Sequence, residues 1–147
     1  MALQDIPVRS NGETIDSSWF NTIRTKLLEE FGSGVSGEFT LADGVGAATD
    51  ITGMIFSGAS VRTAFIEYDI YRNTTGGGAV EFMESGMIIA NYKAVAGTWT
   101  FTQGPVLGST GVTFSLLNTG QFQYTSTSTT GTFDVFEIKW RSRTIAV

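Results

Sequence analysis

The sequence predicts a mainly β protein: a jelly-roll-like antiparallel β-sandwich of eight or nine strands, preceded by an extended arm and one amphipathic helix. Three observations predict it. From Glu38 onward, short runs alternate apolar and polar residues, and no helical period separates them, which argues for a sandwich over βαβ units. Glycine-rich turn signals divide these runs at fairly even intervals, the rhythm of an all-β domain. The composition suits pleated surfaces: 21 Thr, 13 Ser and 18 Gly among 147 residues, with two Pro. Only 16% of residues are charged, against roughly 25% in an ordinary soluble domain. The surface is therefore expected to be largely hydroxyl and partly turned towards neighbouring subunits.

The elements follow in chain order. Residues 1–15 read as an extended arm, because Pro7 biases Ile6 to extended geometry and Asn11-Gly12 marks a turn. Residues 17–31 read as the one helix. Asp16 or Ser17 caps it; Phe20, Ile23, Leu27 and Phe31 fall on one stripe that Trp19 and Leu28 widen; Gly32 stops it. A fifteen-residue helix is marginal alone, so the stripe needs something to dock on. With Ile6 and Val8 of the arm, Trp19, Phe20, Ile23, Leu27 and Phe31 are the candidate anchoring residues. Residues 32–37, GSGVSG, read as a flexible joint. The chain thus divides into an assembly segment, 1–36, and a β domain, 37–147.

Within the β domain the clearest strand runs from Val61 to Tyr71. Ala64, Ile66, Tyr68 and Ile70 make its inner face, and Val61, Thr63, Phe65, Glu67, Asp69 and Tyr71 its outer one. After the turn Thr75-Gly76-Gly77-Gly78, separate strands are expected at 80–83 and 87–92. Trp99 and Phe101 share a face of the next strand, then Val112, Phe114 and Leu116, then Phe122, Tyr124 and Ser126. The last strand, 133–145, turns Phe136, Ile138 and Trp140 inward and Glu137, Lys139, Arg141 and Arg143 outward. Weaker strands are expected at 38–42 and 51–57. Phe65 and Tyr71 are the informative residues, since large aromatics on an outer face are a subunit contact, a ligand platform, or a seat for the helix.

Cysteine and histidine are both absent, which removes thiol nucleophiles, Cys/His zinc sites and histidine acid–base chemistry. Nine basic against fourteen acidic residues give a net charge of −5, the wrong sign for neutralising phosphates, and no nucleic acid is expected as partner. No apolar run reaches the length of a membrane helix, so no membrane partner is expected. The opening MALQDIPVRSNGETID lacks the pattern of a secretory signal. The G-x-G-x-x-G of Gly32, Gly34 and Gly37 follows a helix instead of a strand, so it reads as a helix stop and joint and not a dinucleotide loop. Asn73-Thr74-Thr75 is a glycosylation sequon read as a hairpin pattern. Glu67, Asp69, Glu81 and Glu84 contain the paired carboxylates a glycosidase needs, but read as a solvated strand face with Arg62 or Arg72 as partners. Asp43 and Asp50 match no calcium-loop spacing. No catalytic residue, cofactor or metal is expected.

The arm and helix IPVRSNGETIDSSWFNTIRTKLLEEFG, with FIEYDIYRNT, AGTWTF, GVTFSLLNTGQFQYTST and FEIKWRSRTI in a Thr/Gly-rich β domain, resemble structural proteins of tailed bacteriophage virions. The β domain resembles those of tail fibres and appendages. The resemblance implies a non-enzymatic virion component made in the host cytoplasm. It would be a tail-attached short fibre or appendage that binds a neighbouring virion protein through its N-terminal segment and presents a homotrimeric sandwich. A capsid decoration protein is the alternative within that class. A carbohydrate-binding module using Phe65, Tyr71 and Trp99, with a host surface glycan as partner, is the alternative from another class.

Overall fold

The computed structural model describes residues 21–23 and 35–147. The chain separates into two units, Met1–Ser33 and Gly34–Val147. In the first, residues 21–23 are helical and Ile23 is half-buried. The anchoring candidates Ile6, Val8, Trp19, Phe20, Leu27 and Phe31 lie outside the described residues.

The second unit holds eight strands: β1 (Ser36–Thr40), β2 (Thr49–Ile55), β3 (Val61–Thr75), β4 (Glu81–Lys93), β5 (Thr98–Gly108), β6 (Val112–Leu116), β7 (Gln121–Ser126) and β8 (Thr132–Ala146). All pair antiparallel in two sheets, a larger one in the order β1-β8-β3-β4-β5 and a smaller one in the order β2-β7-β6. This is the expected β-sandwich. β1, β8 and β3 alternate with β2 and β7 between the sheets, whereas β3-β4-β5 is an up-and-down meander within one sheet. The Gly76–Gly78 turn closes the β3–β4 hairpin as the sequence predicts, with the Thr74 N–H donating to the Val80 carbonyl at 2.9 Å.

Period-2 burial selects the core. Ala64, Ile66, Tyr68 and Ile70 of β3 and Phe136, Ile138 and Trp140 of β8 are all buried and face Ile51, Met54, Phe114, Phe122 and Tyr124 of the smaller sheet. Tyr68 lies opposite Trp140 in the ladder and Ile70 opposite Ile138, so the inner faces expected for these two strands are the ones observed. At about 25 cal/mol per Å² of apolar area removed from water, these aromatic and branched side chains dominate the stability of the unit.

The two expected strands at 80–83 and 87–92 are one continuous β4. Glu84-Ser85-Gly86 reads as a break, yet two of these residues are what the larger sheet needs. A Cβ on Gly86 would lie 2.6 Å from the Tyr68 hydroxyl oxygen, so the phenol occupies the space a side chain would fill. Glu84 then accepts the Tyr68 hydroxyl proton at 3.0 Å. A similar exchange places Gly37 under Trp140, where a Cβ would meet the indole at 2.6 Å. Ser36 and Gly37, the last residues of the expected joint, are therefore strand residues of β1, paired with Arg141 and Trp140.

Candidate functional site

The feature that reaches outward from this fold is the outer face of the larger sheet. Strand alternation sends Phe65, Glu67, Asp69 and Tyr71 of β3 to it, flanked by Glu137, Lys139, Arg141 and Arg143 of β8 and by Met83, Ser85, Met87 and Ile89 of β4. The register sets them in rows across the sheet: Glu137-Tyr71-Met83, Lys139-Asp69-Ser85, Arg141-Glu67-Met87 and Arg143-Phe65-Ile89. Leu107 of β5 extends the Asp69 row, opposite Ser85. Met83 is 57% exposed, Leu107 79%, Ile145 54% and Met87 39%, so the face presents large apolar side chains to its surroundings. Phe65 and Tyr71 are half-buried within their own sheet.

The two aromatics differ in chemistry. The Arg143 guanidinium lies over the Phe65 ring, 5.7 Å from its centroid. Phe65, Glu67, Met87, Arg141, Ser142 and Arg143 line a shallow depression of about 280 Å³. Six residues away the Tyr71 hydroxyl donates to Glu81 Oε1 at 2.9 Å. That hydrogen bond, with burial and the negative charges of Glu81 and Asp134, raises the phenol above its ordinary range. Between them, Arg141 pairs with Glu67, and Lys139 sits 3.1 Å from Glu137. The hydrogen bond and charge of Glu137, then the charges of Glu38 and Asp69, push the Lys139 ammonium up.

Three candidate residues of the sequence reading go elsewhere. Trp99 is 5% exposed and packs between the sheets against Phe56 and Tyr92, so it shares no surface with Phe65 and Tyr71. Arg72 is not an outer partner of the carboxylates; it continues the even-numbered inner face of β3 and is fully buried. Glu84 also faces inward, 4% exposed, which puts it on the opposite side of the sheet from Glu67 and separates that carboxylate pair. The outer charge partner of Glu67 is Arg141 and not Arg62.

Arg72 and Glu84 form a buried polar network at one end of the sandwich. Arg72 donates through Nη1 to the Thr110 carbonyl at 2.7 Å, and through Nη2 to the Thr127 carbonyl at 2.6 Å and to Asp43. Its guanidinium stacks 4.4 Å from the centroid of Phe136. The Thr110 N–H and hydroxyl both donate to Glu84 Oε2 at 2.9 Å. Tyr68 completes the chain, accepting from Gln103 Nε2 at 2.7 Å while donating to Glu84. Its burial, with Glu84 beside it, pushes the phenol up to about 12 against the opposing effect of Gln103. Asp43 also accepts the Thr129 N–H at 3.1 Å. Asp50 accepts from Gln123 at 2.7 Å, so the two aspartates serve different partners. Asn73 of the sequon accepts the Val135 N–H at 2.9 Å, a β3–β8 contact.

No family model matches the chain, and no curated protein matches it. Among solved structures it is similar to the Acinetobacter phage vB_ApiP_P1 tailspike protein, with a TM-score of 0.36 and 16% identity, over 78% of this chain and 21% of that one. The chain spans about a fifth of the tailspike's length.

Proposed function

We propose that this protein is a non-enzymatic structural component of a tailed phage virion, a short tail appendage that works by binding other proteins. In this reading the assembly segment, 1–36, fastens the chain to a neighbouring virion protein, and copies of the β domain associate with one another. One observation carries the binding role: the outer face of the larger sheet presents Met83, Met87, Leu107 and Ile145 beside Phe65 and Tyr71, on a chain with few charges to keep such a face soluble. The pattern resemblance of the sequence to phage virion proteins supplies the setting. Copies meeting on that face complete the burial of the half-buried Phe65 and Tyr71, and aromatic residues are enriched at interface centres.

The test is genetic and compositional. Mass spectrometry of purified particles is expected to find the chain, and removal of residues 1–31 is expected to abolish its incorporation while the remaining domain stays folded. Unchanged incorporation, or loss of folding, contradicts the division of labour. Few copies per particle fit the tail appendage; enough to tile the shell would make it a capsid decoration protein instead. The carbohydrate reading is weaker after the burial of Trp99: Phe65 and Tyr71 are six residues apart on one strand, about 20 Å at 3.3 Å per residue, too far to hold one sugar ring.

A further inference from the structure

One edge of the larger sheet is long, uncharged and unpaired. β5 ends the strand order and pairs only with β4. Among the described residues no other hydrogen bond reaches the backbone of 98–103, so a row of N–H and C=O groups faces outward there. Natural sheets guard such an edge by shortness, charge, proline or a bulge. The other three edges of the sandwich are guarded so: β1 and β6 have five residues each, and β2 carries Asp50 and a register shift between Asp50 and Ile55. In β5 the guard covers one half only. The register shift between Gly86 and Ile88 of β4 takes up Gly104 and Pro105, and residues 98–103 ahead of it run in unbroken register. No charged residue stands anywhere in 94–133, the 40 residues that supply β5, β6 and β7. β6, the edge strand of the smaller sheet that touches β5, is therefore uncharged too.

We infer that β5 pairs antiparallel with β5 of a second copy, about a two-fold axis that pierces the sheet at Thr100, so that two five-stranded sheets join into one of ten strands. The edge itself identifies the occupant. Thr98, Trp99, Thr100, Phe101 and Thr102 alternate hydroxyl and aromatic side chains, a pattern that reads the same in either direction. Laid on itself with Thr100 facing Thr100, the strand sets Thr98 opposite Thr102 on the outer face and Trp99 opposite Phe101 on the inner one. Thr–Thr and aromatic pairs of this kind stabilise antiparallel ladders. Thr100 and Thr102 are exposed and Phe101 is half-buried, so the pairing covers side chains as well as backbone. Charge selects the same place. Two copies of a chain with net charge −5 repel one another, and least where neither carries charge. The register sets Lys93 opposite Thr98, Asn91 opposite Thr100 and Ile89 opposite Thr102. Across the junction each Lys93 row therefore ends on Ile89 of the mate, and no like charges meet. Main-chain hydrogen bonds supply the affinity in strand addition, and the two-fold axis makes each contact twice. This contact uses a different surface from the outer-face association proposed above, and it leaves the outer faces of both sheets open, side by side.

Disulfide trapping on the full chain decides it, because the sequence has no cysteine and each introduced thiol is unique. Directly opposed residues of an antiparallel pair have Cα atoms about 4.5–5.5 Å apart, within the span of a disulfide. Thr100→Cys is expected to oxidise at micromolar concentration to a covalent dimer of twice the 15.8 kDa chain mass. In Thr98→Cys alone or Thr102→Cys alone the two thiols stand four residues out of register, about 13 Å, too far to bridge. Each is expected to cross-link at least tenfold more slowly than Thr100→Cys. An equimolar mixture of those two variants is expected to recover rapid cross-linking, because residue 98 of one chain then faces residue 102 of the other. A Thr100→Cys chain that stays monomeric, three single variants that cross-link at one common rate, or a mixture no faster than its components overturns the pairing. Trapping at these positions reads the β5 edge alone, so the outer-face association and the virion reading stand or fall separately.

Discussion

Arg72 ties three segments of backbone with one side chain, because its guanidinium is held at once by Asp43, by the Thr110 carbonyl and by the Thr127 carbonyl. Fully buried, it is tolerable only while those partners stay in place. Replacing it with Leu leaves two carbonyls without donors and Asp43 without its cation; Asp43 remains 32% exposed and regains some water. Arg72→Leu is therefore expected to cost about 3 kcal/mol, the lower end for a broken buried pair, read as a lower denaturation midpoint. Tyr68 gives a pH signature. Its phenol titrates at about 12 in the folded chain against 10.0 ordinarily, so the folded state holds the proton more tightly. The stabilisation is complete below pH 10 and is lost as pH rises from there through 12. A melting temperature that falls over this window, with a shallower fall in Tyr68→Phe, is the expected result; identical slopes would remove Tyr68 as the cause. Both residues were partly legible. Residues 64, 66, 68 and 70 fix the inner parity of β3, and Arg72 is the next position on it. A cation on a core parity marks a buried charge, but the partner loops at 43, 110 and 127 are brought there only by the tertiary fold.

At the scale of elements, alternation reads well where a strand has one dry face and one wet one. β3 and β8 satisfy this, and their inner and outer residues match the pattern throughout 64–71 and 136–143. β4 does not, because its inner face includes Glu84 and Gly86, two residues that lower strand propensity and interrupt an apolar run. Their role depends on the Tyr68 ring across the ladder, a long-range fact that no local window contains. The strand-level account is tested by Trp140→Ala, expected to cost about 3–5 kcal/mol by removing a buried aromatic that Gly37 was shaped to receive. Gly37→Val tests the same packing from the other side. It is expected to destabilise by about 1–3 kcal/mol as the added carbons meet the indole, and an unchanged melting temperature in either variant would contradict the packing.

At the scale of the whole molecule, the sandwich was predictable as a class and the use of its surfaces only in outline. Phe65 and Tyr71 stood out because aromatics on a wet parity need a reason. The apolar side chains that make the face a candidate interface come from three other strands: Met83 and Met87 from β4, Leu107 from β5 and Ile145 from β8. Only the strand order β8-β3-β4-β5 assembles them. The most direct measurement of whether this face is an interface is methionine oxidation of the full chain at several protein concentrations. Met83 and Met87 are exposed in the isolated domain at 57% and 39%, while Met54 is fully buried in the core at 0%. Oxidation of Met83 and Met87 is expected to slow as the chain is concentrated from nanomolar to micromolar, with Met54 protected throughout. Rates at Met83 and Met87 that stay fast and independent of concentration would contradict the claim that copies of this protein meet on the outer face of the larger sheet.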